Sequence, residues 1–189
     1  MSEKNYGILK GHFLMAIPGL PDPNFAQTVT CICEHNETGA LGFIINRVHP
    51  LLTGLELFED LKIKSSRVIE KINIYLGGPV QPSGVFLLHG PPFDWQGCMR
   101  INSWLGLSNT RDILEAVALQ EGPEDFLILL GCAGWGPLQL ESEINDSAWL
   151  TTPVVREILF ETDVNLKWEK TMMQIGTVSD NPLDDSGKA

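Results

Sequence analysis

The chain has 189 residues, 43% hydrophobic and 20% charged, which is ordinary for a globular protein and enough for one domain to hold a core without disulfides or metal. With 13 Lys and Arg against 24 Asp and Glu the net charge is −11, which repels phosphate backbones and argues against direct nucleic-acid binding. No apolar run approaches the ~20 residues of a membrane helix, and the opening Met1-Ser2-Glu3-Lys4 has no apolar leader, so the expectation is a cytoplasmic protein without membrane contact.

Residues 1–7 read as a flexible N-terminus and 8–177 as a single domain. A strand is expected at 12–17, stopped by Pro18-Gly19-Leu20-Pro21, and a β-branched strand at 28–34. His35 to Gly39 reads as a loop closing a hairpin with a strand at 41–46. A short helix is expected at 54–61 and a strand at 72–76, ended by the turn signal Gly77-Gly78-Pro79. Further strands follow at 85–89 and 98–101. Asn109 suits the N-cap of a helix whose buried stripe is Ile113, Leu114 and Val117, ended by Gly122-Pro123. The apolar run 126–130 is the most buried-looking strand, entering a glycine-rich turn from Gly131 to Gly136. Pro137 suits the first position of an acidic helix, a further helix is expected at 153–160, and a helix or strand at 166–175. Residues 178–189, with Asp180, Asp184, Asp185 and Lys188, read as a disordered acidic tail. Early hairpins and late helices suggest an α+β fold.

The Gly131–Gly136 turn invites a phosphate-binding reading, but it has no P-loop or dinucleotide spacing, no lysine, and carboxylates at Glu141 and Glu143. Packing of Trp135 is the stronger reading. Glu141 and Glu143, two apart on a helix, make a poor catalytic dyad, whereas Gln139 and Glu143 share a face. Cys31 and Cys33 lie on one face of a strand, joined by His35 if the strand continues, yet the spacing is too tight for zinc and buried thiols are favoured. Without a CxxC pair the four cysteines read as reduced thiols; no metal or cofactor is expected. No G-x-S-x-G elbow is present, and for each histidine a packing role outweighs catalysis.

Four segments together resemble the YqgE/AlgH family of bacterial proteins. They are Gly11 to Phe25 with Pro18 and Asp22; Cys33-Glu34-His35-Asn36 with Gly42 and Asn46-Arg47; Gly77-Gly78-Pro79 with His89; and 126–143 with Trp149. Cys132 stands where the family usually has tyrosine, and Val48-His49-Pro50 replaces a proline usually found directly after the Asn-Arg pair. The resemblance implies a curved, partly barrel-like mixed sheet flanked by helices. It implies no established reaction, although some members carry a transcriptional-regulator label.

What the resemblance carries over is a set of positions without an agreed role: Asp22, Phe25, Glu34, His35, Asn46, Gly77, Gly78, His89, Trp135, Gln139 and Glu141. Their gathering at element ends suggests a cleft that holds a small molecule or a protein segment. The competing readings are a hydrolase with His35 or His89 as base and Glu34 or Asp22 as its orienter, and transcriptional control through a protein partner.

Overall fold

The computed structural model describes residues 9–19 and 22–179. The expected flexible terminus at 1–7, the Leu20-Pro21 pair and the tail from 180 onward lie outside them; Val178 and Ser179, which composition assigns to the tail, continue the last helix.

The first hairpin forms as expected. Strand β1 (His12–Ala16) pairs antiparallel with β2 (Val29–Asn36), and β2 pairs with β3 (Gly39–Ile44) across a two-residue turn. His35 therefore sits in the strand and not in a loop. Strand β4 (Val48–Thr53) was not expected, because His49-Pro50 breaks its pattern; it is an edge strand, where proline is tolerated. It runs into α1 (Gly54–Asp60), whose start is fixed by a capping box between Thr53 and Glu56. A 3-10 turn at Arg67–Lys71 leads to β5 (Asn73–Leu76) and then the long β6 (Val80–His89). Two short strands follow, β7 (Met99–Arg100) and β8 (Gly106–Ser108). Helix α2 (Arg111–Ala118) has Thr110 and not Asn109 at its N-cap position, without a side-chain capping bond.

Strand β9 (Phe126–Trp135) runs straight through the segment expected to turn. A bend at Gly131, whose φ is +68°, divides it without ending it. Strand β9 pairs antiparallel with β6 on both sides of the bend; before it β9 also pairs in parallel with β5, and after it antiparallel with β3. It is thus the spine of a mixed, strongly curved sheet of order β10-β1-β2-β3-β9-β6-β8-β7, with β4 joined through β5. The helix after it, α3 (Gln139–Asn145), starts two residues later than Pro137. Strand β10 (Trp149–Pro153) pairs with β1, and only a π-helical turn at Glu157–Glu161 stands where a helix was expected at 153–160. Helix α4 (Lys167–Ser179) closes the described chain. None of these helices is long and apolar enough to cross a membrane.

Along β9, Leu127 and Leu129 face one cluster with Phe13, Cys31, Phe43 and Leu159, while Ile128 faces another with Phe58, Leu87 and Ile113 of α2. Burial on both faces is why this strand reads as an unbroken apolar run. A third cluster, with Leu14, Ile32, Trp135, Leu140 and Trp149, lies beneath α3.

Candidate functional site

Three aromatic rings meet under α3. Phe25 lies 6.0 Å from Trp135 and 5.5 Å, edge-on, from Trp149; the two indoles are 6.1 Å apart and also edge-on. Both indole N–H groups donate to one oxygen of Glu143, Trp135 at 2.9 Å and Trp149 at 2.8 Å. Gln139 donates to the other oxygen at 2.9 Å, and its own carbonyl accepts from the Gly136 N–H. The shared face of Gln139 and Glu143 is therefore real, and it works as a clamp holding α3 to the ends of β9 and β10.

Glu141 points elsewhere. Its carboxylate accepts from His35 Nε2 at 3.1 Å, and the His35 ring is buried with Nδ1 lacking a partner among the described residues. A bulge between Ile32 and Glu34 explains the placement. The inserted residue reverses the facing of everything beyond it, so Cys31 and Cys33 stay in the main core while His35, opposite Ala40, joins the cluster under α3. This separates the three residues weighed for zinc. Burial and the neighbouring Cys31 push the Cys33 thiol well above its ordinary value. Burial also raises Cys132, the residue in place of the family tyrosine, which packs in the main core.

The loop carrying Phe25 has a separate set of supports. The Asp22 side chain accepts from the Asn24 N–H at 2.8 Å, and its carbonyl accepts from Phe25 and Ala26. Asn46 accepts from the Val29 N–H and donates to the Gln27 carbonyl. Arg47 donates to the carbonyls of Asn24 (2.7 Å), Pro23 (3.1 Å) and Ala26 (3.0 Å). Three of its five N–H donors are thereby used, and no carboxylate among the described residues pairs with it.

A cavity opens on each side of Arg47. One, of about 560 Å³, is lined by Gln27, Asn46, Asn165, Trp168 and Glu169. The Trp168 indole N–H is buried with no partner among the described residues. The other, of about 190 Å³, is lined by Asn24, Ile44, Leu76, Gly78 and Pro79.

The carried-over positions thus divide into groups. Phe25, His35, Trp135, Gln139 and Glu141 come together under α3, while Asn46 and Gly78 border the Arg47 cavities and Asp22 shapes the loop between. Gly77 and Gly78 serve close packing, since a Cβ on Gly77 would lie 2.4 Å from the Gly131 carbonyl oxygen. Glu34 is exposed and accepts from Asn36, so it does not orient His35. His89 stands apart, fully buried between the Gly90 carbonyl and Ser108, with no carboxylate among the described residues bonded to its ring. Arg47, the residue both cavities share, was not among the candidates; the signal that marks it is an arginine following Asn46 in a chain poor in cations.

A family model described as AlgH-like matches residues 13–179. A UPF0301 protein of Desulforapulum autotrophicum is 80% identical over the full length of both chains. Another, from Thioalkalivibrio sulfidiphilus, is 44% identical, covering 94% of this chain and 95% of its own. The solution structure of the AlgH protein from Pseudomonas aeruginosa superposes with a TM-score of 0.80 at 39% identity, covering 100% of this chain and 99% of that one. A crystal structure of a protein from Corynebacterium diphtheriae, at 20% identity, has a TM-score of 0.69 over 93% of this chain and 88% of its own, and shares the fold.

Proposed function

The chain belongs to the AlgH-like family, and on that footing we propose that it acts as a binding module, holding a polar small molecule or a protein segment in the groove at Arg47, without direct contact with DNA. The observation that carries this reading is the pairing of two cavities around one arginine with no carboxylate partner among the described residues. Two N–H groups of Arg47 remain for an acceptor-rich ligand, such as a carboxylate or a run of peptide carbonyls, and Trp168 supplies a wall of the larger cavity. Four unpaired cysteines suit the reducing cytoplasm as its compartment. An effect on transcription, the label some relatives of this type carry, would then run through a protein partner occupying the same groove.

The hydrolase reading finds less support. His35 has a carboxylate within reach, but its carboxylate-bound nitrogen faces Glu141 and its other nitrogen is sealed from solvent. A general base needs one nitrogen open to substrate.

Placing a photo-cross-linker at Asn165 and analysing the protein recovered from its own cells tests the proposal. Wild type should yield a defined small-molecule or peptide adduct, and Trp168→Phe or Arg47→Lys should lose it. Adducts unchanged in both folded variants would refute the groove, and a retarded band with duplex DNA at low salt would refute the exclusion of DNA.

A further inference from the structure

Away from the Arg47 groove, His89 sits at the centre of a second polar cluster. The ring is fully buried. Its Nδ1 lies 2.6 Å from the Gly90 carbonyl, which only accepts, so Nδ1 carries the proton and Nε2 presents a lone pair. Burial pushes the imidazole below its ordinary value, so it rests neutral in this tautomer. Two groups compete for the lone pair: the Ser108 hydroxyl at 2.9 Å and the Cys98 thiol at 3.7 Å.

Ser108 is 2% exposed and closed to any reagent, whereas Cys98 is half-buried and the other three cysteines are buried. The Cys98 sulfur occupies room left by Gly106, where a Cβ would lie 3.2 Å from Sγ. Phe93 packs beside the His89 ring at 5.9 Å, and the Arg100 guanidinium lies 4.8 Å over Phe93. A nucleophile, a base of fixed tautomer and a backbone carbonyl that orients the base are thus connected, with the Arg100 charge over the adjoining Phe93 ring.

We propose that Cys98 is a modification site, a thiol served by His89 as base that exchanges with a low-molecular-weight disulfide. His89 Nε2 takes the thiol proton as Sγ attacks one sulfur of the disulfide. The new Cys98 S–S bond forms as the old one breaks, the departing thiolate takes a proton from water, and His89 returns its proton to solvent. The exchange needs no further oxidant, and it leaves a mixed disulfide on the protein. The Arg100 charge favours disulfides that carry carboxylates, and oxidised glutathione is the probe.

Native protein treated with oxidised glutathione at neutral pH should gain one adduct, mapped to Cys98 by peptide mass spectrometry and absent in Cys98→Ser. Ser108→Ala should react at least as fast as wild type, because it frees the lone pair. His89→Gln should slow the reaction by about tenfold or more. If His89→Gln does not fold, the comparison is wild type against the free peptide 94–102, which lacks the base, and the folded protein should react at least about tenfold faster. An adduct at another cysteine, or a Cys98 rate no greater than that of the peptide or of folded His89→Gln, would overturn the assignment.

Discussion

Glu143 turns one carboxylate oxygen inward, toward two indoles, and the other toward the exposed amide of Gln139. Trp135 and Trp149 are 6% and 5% exposed, so water does not replace a lost acceptor. Leaving a buried donor unpaired costs about 1–3 kcal/mol. Glu143→Leu should therefore destabilise the protein by roughly 2–5 kcal/mol in urea titration, with a loss of tryptophan near-UV ellipticity. A variant as stable as wild type would mean the clamp is incidental. Lys167 makes a different case. It is 1% exposed, its ammonium donates to the Leu159 carbonyl, and it lies 5.1 Å over the Tyr75 ring. Burial lowers its pKa from 10.5 to about 8, against an opposing pull from Asp163. Between those values the unfolded chain holds the proton more tightly than the folded one. The contribution of Lys167 to stability is thus smallest below the folded value and rises with pH until the unfolded value is passed. Burial raises Cys33 and Tyr75, which act in the opposite sense at high pH, so the informative quantity is a difference between proteins. Relative to Lys167→Met, wild type should gain about 3 kcal/mol between roughly pH 7 and pH 10.5. A flat difference would show that the ammonium is better solvated than its position indicates.

At the scale of elements, the approach of the Gly77-Gly78 segment to β9 decides how the sheet bends. Gly78 has φ +154°, and a Cβ there would lie 2.3 Å from the carbonyl carbon of Cys132. Gly78→Ala should cost about 3 kcal/mol or more, read as a shift in the urea midpoint. Gly134→Ala is the control: its Cβ would meet only a Val80 methyl, at 3.9 Å, and the cost should stay near 1 kcal/mol or below. Similar costs for the two would remove close packing as the reason for Gly78. The same contacts explain where the sequence misleads. Gly131 and Gly134 read as a turn, since glycine is the commonest turn residue, yet a Cβ on Gly131 would lie 2.4 Å from the Gly78 carbonyl oxygen. The glycine there marks backbone approaching backbone inside a strand. Strands β4, β8 and β10 escaped for local reasons: a proline in β4, only three residues in β8, and in β10 a pattern ending at Pro153 that looks like a helix start. The facing of His35 depends on a one-residue bulge, which no periodicity reveals.

For the molecule as a whole, composition and the sequence of elements carry the fold class, and the four family segments carry the curved sheet. The groove proposed for binding was legible only in part. Asn46 and Gly78, two of the candidate positions, border the cavities, but Arg47 is held by carbonyls of a loop some twenty residues earlier, a relation visible only after folding. Trp168 was not singled out either, since it enters the groove from the far end of the chain. The placement of β9 also bears on how the protein is made. Its partners are β3, β5 and β6, all earlier in the chain, and β1 waits for β10 in the same way. During synthesis, strands β1 to β8 are made before their central neighbour, β9. Those hydrophobic edges stay open until synthesis passes Trp135, and the outer edge until it passes Pro153. The earlier strand pairs can form without β9, but joining them into one sheet waits for it, and until then their open edges are the part of the chain most exposed to aggregation.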